Sequence, residues 1–425
     1  MRAALLVALL AVLVVACGGD EDADRRGAAV SAPPPAPLQT CSRIYYEGDG
    51  RPDVLIASDS PLQGTYANDG LQTTKAMRIV MEERGYRAGR HRVGYVSCDG
   101  STPRDDISPA KCRRSGRAYA RTRELVGVIG PFFSACAIHM MPALNRAGLA
   151  QIGPSNTYVG LTRSGFGIPD DQPERFQPTG RRTFVRLAAP DDLQSRAHAV
   201  LAQRRGDRRV YVLHDGIDVY TLGSATAFRD AAREAGIDVV GFESWDPEAP
   251  AYEALVRRVA GSDVDGVFLG GYIVSNTGKL IRELRAALGD DVTLMAPESV
   301  FPVPALRARA GAAAEGMLVS LSQIANEKLE GPGADFLARF RKETGQDPCC
   351  YTVHVAQAGH ALLDAIAASD GSRESVTREL VDLRVKDGLI GDFSFDENGD
   401  VTPPLVSVYR MTDGKQKLFE VVENP

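Results

Sequence analysis

From Asp53 onward, short apolar runs alternate with longer stretches whose apolar positions recur at helical spacing. Val54–Ala57, Val93–Val96, Val126–Gly130 and Ala150–Gly153 read as buried strands. Between them, Gly70–Arg84 carries Ala76, Ile79 and Val80 on one helical face. Further helices are predicted around Ala110–Thr122 and Ala137–Arg146. The loop Arg163–Arg182, rich in Gly, Pro and charge, breaks the rhythm, and no regular element fits it. Thr183–Leu187 reads as a strand, after which alternation resumes. Strands Val210–Leu213, Val239–Phe242, Val264–Leu269 and Val292–Met295 alternate with helices Leu193–Arg204, Ala225–Ala235, Tyr252–Val259 and Gly278–Leu288. This pattern implies βαβ units and parallel sheets, and two successive series imply two similar lobes of an α/β fold. After Val319 the helices Ala334–Glu343, Val353–Ala367 and Ser375–Leu383 no longer alternate with clear strands, so they are expected to cover the first lobe. The strand-like Leu405–Tyr409 closes the chain.

Length agrees with two lobes, since 425 residues exceed one ordinary core. A net charge of −6 argues against nucleic acid as a partner, which would want a basic face. The N-terminus changes the picture more. Arg2, the apolar run Ala3–Ala16 and then Cys17 describe a secretory signal, too short to span a bilayer. Val14-Val15-Ala16-Cys17 resembles a bacterial lipobox, so residues 1–16 are expected to be removed and Cys17 lipidated, anchoring the protein outside the cytoplasm. Behind it, residues 17–52 read as a tether and N-terminal extension, with Pro33–Pro37 favouring an extended spacer. Export permits disulfides. Cys41, Cys98, Cys112, Cys136, Cys349 and Cys350 remain, which allow fifteen pairings. Cys98, Cys112 and Cys136 lie on consecutive strand–helix units, so a bond among them is expected, with Cys112–Cys136 preferred.

Candidate chemistry collects at strand ends, where ligands bind in open α/β sheets. Ser134 and Thr157 follow apolar runs in the first series, and Tyr220, Tyr272 and Glu298 follow runs in the second. Hydroxyl donors on one side and a carboxylate with phenols on the other suit a zwitterion, a free amino acid. Other chemistries find little support. His354 and His360 are not spaced as zinc ligands, and no cofactor or metal is expected. Asp396–Asp400 resembles the start of a calcium loop but lacks its later glycine and glutamate, so a turn is expected. Ser108-Pro109-Ala110-Lys111 lacks the companion motifs of a serine acylase. His214-Asp215 reads as a structural pair rather than an acid–base pair.

Three stretches carry a specific resemblance. They are Val128–Ser134, Ile152–Thr157 with Leu161-Thr162, and Gly270–Tyr272 with Met295–Glu298. The chain resembles the leucine/isoleucine/valine-binding receptors of ABC transporters, of the type I periplasmic-binding fold. That resemblance implies two Rossmann-like lobes joined by a three-segment hinge, with crossovers near Arg186–Pro190, Ser320–Ser322 and Thr402–Pro404. Lobe 1 is expected over 53–187 plus 321–402, and lobe 2 over 188–320 plus 403–425. The implied ligand set is Tyr66, Phe133, Ser134, Ser155, Thr157, Tyr220, Tyr272 and Glu298. Ser134, at a helix start, and Thr157 would hold a carboxylate. Glu298 and Tyr272 would take the ammonium. Tyr66, Phe132 and Phe133 would wall an apolar side-chain pocket. Phe132-Phe133 is bulkier than usual for the family, and Cys349 stands where an aromatic is usual. The implied function is a non-enzymatic, monomeric binding lipoprotein that captures a neutral branched-chain-like or aromatic amino acid and delivers it to an ABC permease. Binding of amides or urea, a sensory role or an enzyme on the same scaffold are the alternatives.

Overall fold

The computed structural model describes residues 40–102, 107–165 and 167–423. The signal segment, Cys17 and most of the tether lie outside these residues.

The first sheet takes strands β1 (Val54–Ser60), β2 (Arg87–Ala88), β3 (His91–Asp99), β4 (Leu125–Ile129), β5 (Ala150–Gly153) and β6 (Phe184–Arg186) in the order β2-β3-β1-β4-β5-β6. All pairs are parallel except β2–β3. The second-series strands are β7 (Arg209–His214), β8 (Asp238–Ser244), β9 (Gly266–Gly270), β10 (Thr293–Ala296) and β11 (Leu318–Leu321). Three short strands follow, β12 (Arg384–Gly388), β13 (Gly391–Phe395) and β14 (Val401–Thr402), and form a small antiparallel sheet of their own. The last two, β15 (Leu405–Thr412) and β16 (Lys415–Glu423), join the second sheet, ordered β16-β15-β11-β10-β9-β7-β8. Every residue of β1, β4, β5 and β9 is buried, as expected of parallel strands covered on both faces.

Eleven α-helices cover these sheets among the described residues: α1 (Ala67–Glu83), α2 (Pro109–Arg121), α3 (Ser134–Arg146), α4 (Asp191–Arg205), α5 (Val219–Glu234), α6 (Glu253–Ala260), α7 (Gly278–Leu288), α8 (Val303–Ala310), α9 (Gly331–Thr344), α10 (Thr352–Ala368) and α11 (Arg373–Val381). Met77 and Val80 of α1 and Leu362 and Ile366 of α10 share one core with β1 and β3. Gly359 permits the close approach of these helices, since a Cβ there would meet Met77 Sδ at 2.6 Å. On the opposite face, Cys112 and Tyr119 of α2 pack with Cys136, Met140 and Leu144 of α3. The second sheet is covered by α6, α7 and α8 on one side and by α4 and α5 on the other. None of the described helices is long and apolar enough to cross a membrane.

Several elements differ from the pattern reading, for local reasons. The helix expected from Ala225 starts at Val219 because Asp218 caps it, accepting from Tyr220 N at 2.9 Å and Thr221 N at 3.1 Å. β12 to β14 and β16 escaped notice because their strands are mostly charged or exposed. The extension is not all tether: Ser42 N donates to Ser97 O and Tyr45 N to Tyr95 O, laying this segment along β3. A disulfide fixes it there, pairing Cys98 with Cys41, a cysteine outside the expected trio. The second disulfide joins Cys112 to Cys136 and ties α2 to α3, while Cys349 and Cys350 are free.

The chain crosses between the two lobes three times: after β6, after β11 into the helices and small sheet packed on the first-sheet core, and between β14 and β15. Ala189 N donates to Ser322 O at 3.3 Å and Ser407 Oγ to Gln323 O at 2.7 Å, so the three strands of the hinge are bonded together.

Candidate ligand-binding site

A single cavity at the carboxyl ends of the two sheets is lined by all eight expected residues, Tyr66, Phe133, Ser134, Ser155, Thr157, Tyr220, Tyr272 and Glu298. Asp69, Phe132, Ser299, Phe301, Cys350 and Tyr351 complete the wall.

On the first-sheet side, α3 begins at Ser134, which puts the start of the helix at the cavity wall. Ser134 Oγ accepts from Thr157 N at 3.1 Å and Tyr158 N at 3.3 Å, which fixes the loop after β5 against the start of α3. The Ser134 hydroxyl proton is therefore left to donate elsewhere. Thr157 Oγ1 is buried without a hydrogen-bond partner. Ser155 also lines the cavity, and its Oγ donates to Phe132 O at 2.8 Å, which braces the loop and leaves the oxygen only as an acceptor. Behind them, fully buried Arg186 donates to Tyr158 O at 2.8 Å and Asn156 O at 3.3 Å, bracketing Thr157. Arg186 is held in turn by Asp400 at 2.7 Å. Asp400 sits at the end of the expected turn, where Asp396 Oδ1 accepts from Asn398 N and Asp400 N. The acidic motif thus closes a turn and presents a counter-ion.

On the second-sheet side, Glu298 follows β10 in a short 3-10 turn. Its carboxylate accepts from Gln194 Nε2 and from Tyr220 Oη, the latter at 3.4 Å. No Lys or Arg among the described residues pairs with it. Burial raises its pKa, and the hydrogen bonds from Gln194 and Tyr220 oppose that shift. Nearby Asp191 is fully buried with neither carboxylate oxygen hydrogen-bonded, and burial followed by the Glu298 charge holds its pKa well above the carboxylate range. Tyr272 Oη donates to Asp218 at 3.0 Å, which leaves its oxygen to act as an acceptor. Asp215 accepts from Tyr272 N at 3.0 Å and Ile217 N at 3.1 Å, which makes it a loop brace rather than half of an acid–base pair. Gly271 is required here because a Cβ would strike Trp245 at 2.3 Å.

Aromatic rings cross the cleft. Phe133 packs edge-on against Tyr66 at 5.3 Å and against Tyr272 at 6.2 Å, and Tyr272 lies 5.6 Å from Tyr220. Tyr66 Oη donates to Ser299 O at 3.4 Å, joining the loop after β1 to the turn after β10. Two other motifs resolve as structure. Ser108 Oγ accepts from Lys111 N and caps α2. His198 and His354 are buried and burial pulls both down to about 3, so they are neutral at physiological pH. Among the described residues there is no cluster of His, Cys, Asp or Glu able to hold a metal.

Sequence reasoning missed Asp69, Cys350, Tyr351, Gln194 and Asp191. Asp69 lies three residues beyond Tyr66 at the start of α1, a spacing that returns to one helical face and was a usable signal. Gln194 and Asp191 sit in the first turn of α4, just past the first crossover, where nothing in the local pattern marks them.

The profile of the periplasmic binding protein family matches residues 54–416. A leucine-, isoleucine-, valine-, threonine- and alanine-binding protein of Pseudomonas aeruginosa is 25% identical over 362 residues, 84% of this chain and 89% of that protein. The solved structure of a leucine-binding protein from Thermotoga maritima has a TM-score of 0.75 at 22% identity, covering 87% of this chain and 99% of that one. A solute-binding protein of R. palustris in complex with 4-hydroxybenzoate has a TM-score of 0.70 at 19% identity, covering 88% and 98%. These structural likenesses bear on the fold, and one fold carries different ligands. With nearly all of its described length matched by the family profile and both lobes built to the type I pattern, the chain belongs to the periplasmic binding protein family.

Proposed function

We propose that this protein is an extracytoplasmic solute receptor that captures a free α-amino acid between its lobes and delivers it to an ABC permease, anchored through a lipid on Cys17. The observation that carries this reading is Glu298, a carboxylate in an aromatic cavity with hydrogen-bond donors but no cation beside it. An unpaired charge in such a place costs several kcal/mol, which an incoming ammonium would offset. At the other end, the Ser134 hydroxyl, the unpartnered Thr157 hydroxyl and the start of α3 suit a carboxylate. The ligand would then bridge groups from both sheets, and contacts present only when the cleft is shut favour the closed state. The name of the Pseudomonas aeruginosa relative, which binds leucine, isoleucine, valine, threonine and alanine, supports the same ligand class. Purified protein screened by thermal shift is expected to be stabilised by α-amino acids and left unchanged by urea and simple amides, with the ligand recovered intact. Stabilisation by amides alone, or steady conversion of the ligand, would overturn the reading.

A further inference from the structure

The proposed head-group contacts leave one wall of the cavity unexplained. Asp69, in the first turn of α1, is only 3% exposed, yet it lines the cavity with Tyr66, Cys350 and Tyr351. It does not cap its own helix, whose start has no side-chain cap hydrogen bond. Its one hydrogen bond among the described residues comes from the Cys349 thiol at 3.2 Å, a weak donor. No Lys or Arg among the described residues forms an ion pair with it. Burial pushes its pKa up to about 6, against the pull of the Cys349 hydrogen bond, so it is mostly ionised at neutral pH. The Cys350 thiol feels the charges of both Asp69 and Glu298. The cavity therefore has two acidic positions, one from each lobe, along a wall that is otherwise largely aromatic. An ammonium on Glu298 satisfies only one of them. A purely aliphatic ligand side chain would seal the other away from water with a thiol as its sole donor, a costly burial.

Resting on the amino-acid reading above, we propose that Asp69 is a specificity-determining residue that recognises a hydrogen-bond donor, an amine or a hydroxyl, on the side chain of the bound amino acid. A site built to hydrogen-bond such a donor discriminates strongly against the analogue that lacks it, because the buried acceptor is then left unpaired. Calorimetric titration with matched pairs tests this: ornithine against norvaline, threonine against valine, tyrosine against phenylalanine. In the wild type, at least one donor-bearing member should bind ten-fold or more tightly than its partner, and the pair concerned identifies the donor as amine or hydroxyl. In Asp69→Ala that ratio should fall below about three-fold, with the donorless partner gaining affinity. Asp69→Asn keeps the shape and an acceptor. It should retain part of a hydroxyl preference and lose an amine preference, which keeps the test decisive if the alanine variant does not fold. Equal binding within all three pairs in the wild type, or discrimination that survives in the folded variants, overturns the proposal while leaving the head-group reading intact. Failure of every α-amino acid to bind overturns both.

Discussion

Glu298 and its neighbours make a prediction at the scale of single residues. Burial raises the Glu298 pKa in the unliganded protein, so its contribution to folding weakens as pH rises and the group ionises. An ammonium ligand needs the ionised form. Binding must therefore expel a proton at acid pH, and affinity should increase with pH until Glu298 is fully ionised, then level off. Titrations between about pH 5 and 8 should show this rise in the wild type and a much flatter profile in Glu298→Gln, although Asp69 and Asp218, both near 6, leave some slope. A profile that falls with pH would contradict the assignment. Much of the site was legible at this scale because a chemically complementary set, Ser134, Thr157, Tyr220, Tyr272 and Glu298, falls at strand ends in order. What was not legible was which hydroxyls are already spent. Ser155 and Ser134 look alike in the sequence, but only the fold shows Ser155 consumed by Phe132 O.

At the scale of elements, the candidate site depends on parts that lie outside the cavity wall. Arg186 at the end of β6 holds the Thr157 loop by two backbone carbonyls and is itself paired with Asp400. Removing one partner of a buried ion pair typically costs about 3–5 kcal/mol, because the other charge stays buried alone. Asp400 keeps Arg163 at 2.9 Å as a second partner, so Arg186→Met should lower stability by less than that amount in denaturant unfolding and weaken ligand binding in the folded fraction. Unchanged binding would mean that the loop holds its shape without the guanidinium. The disulfide between α2 and α3 spans 24 residues and should contribute about 3 kcal/mol by restricting the unfolded chain. The Cys112→Ser/Cys136→Ser double variant should unfold at correspondingly lower denaturant, and non-reducing peptide mapping should recover Cys41–Cys98 and Cys112–Cys136 with Cys349 and Cys350 as free thiols. The central strands were readable because burial on both faces makes them continuous apolar runs. The helix starts were less so, since caps such as Asp218 act through geometry that hydrophobic spacing does not record. The Cys41–Cys98 pair was hidden because it joins an irregular segment to β3 and not two neighbouring units.

For the whole molecule, the alternation of strand and helix carried the two-lobe architecture, while the small sheet β12–β14 and the edge strand β16 left too little apolar pattern to be seen. The contacts across the cleft, Phe133 on Tyr272 and Tyr66 on Ser299, belong to a closed arrangement that a bridging zwitterion would favour. We propose that closure is driven by an amino acid whose ammonium meets Glu298. Calorimetric titration of the wild type and Glu298→Ala tests it most directly, using the best amino acid from the screen and the matching carboxylic acid without its α-amine. The amino acid should bind the wild type, the des-amino acid should bind far more weakly, and Glu298→Ala should lose about 2–5 kcal/mol toward the amino acid alone. Equal binding of both compounds to the wild type, or full affinity for the amino acid in Glu298→Ala, would contradict it.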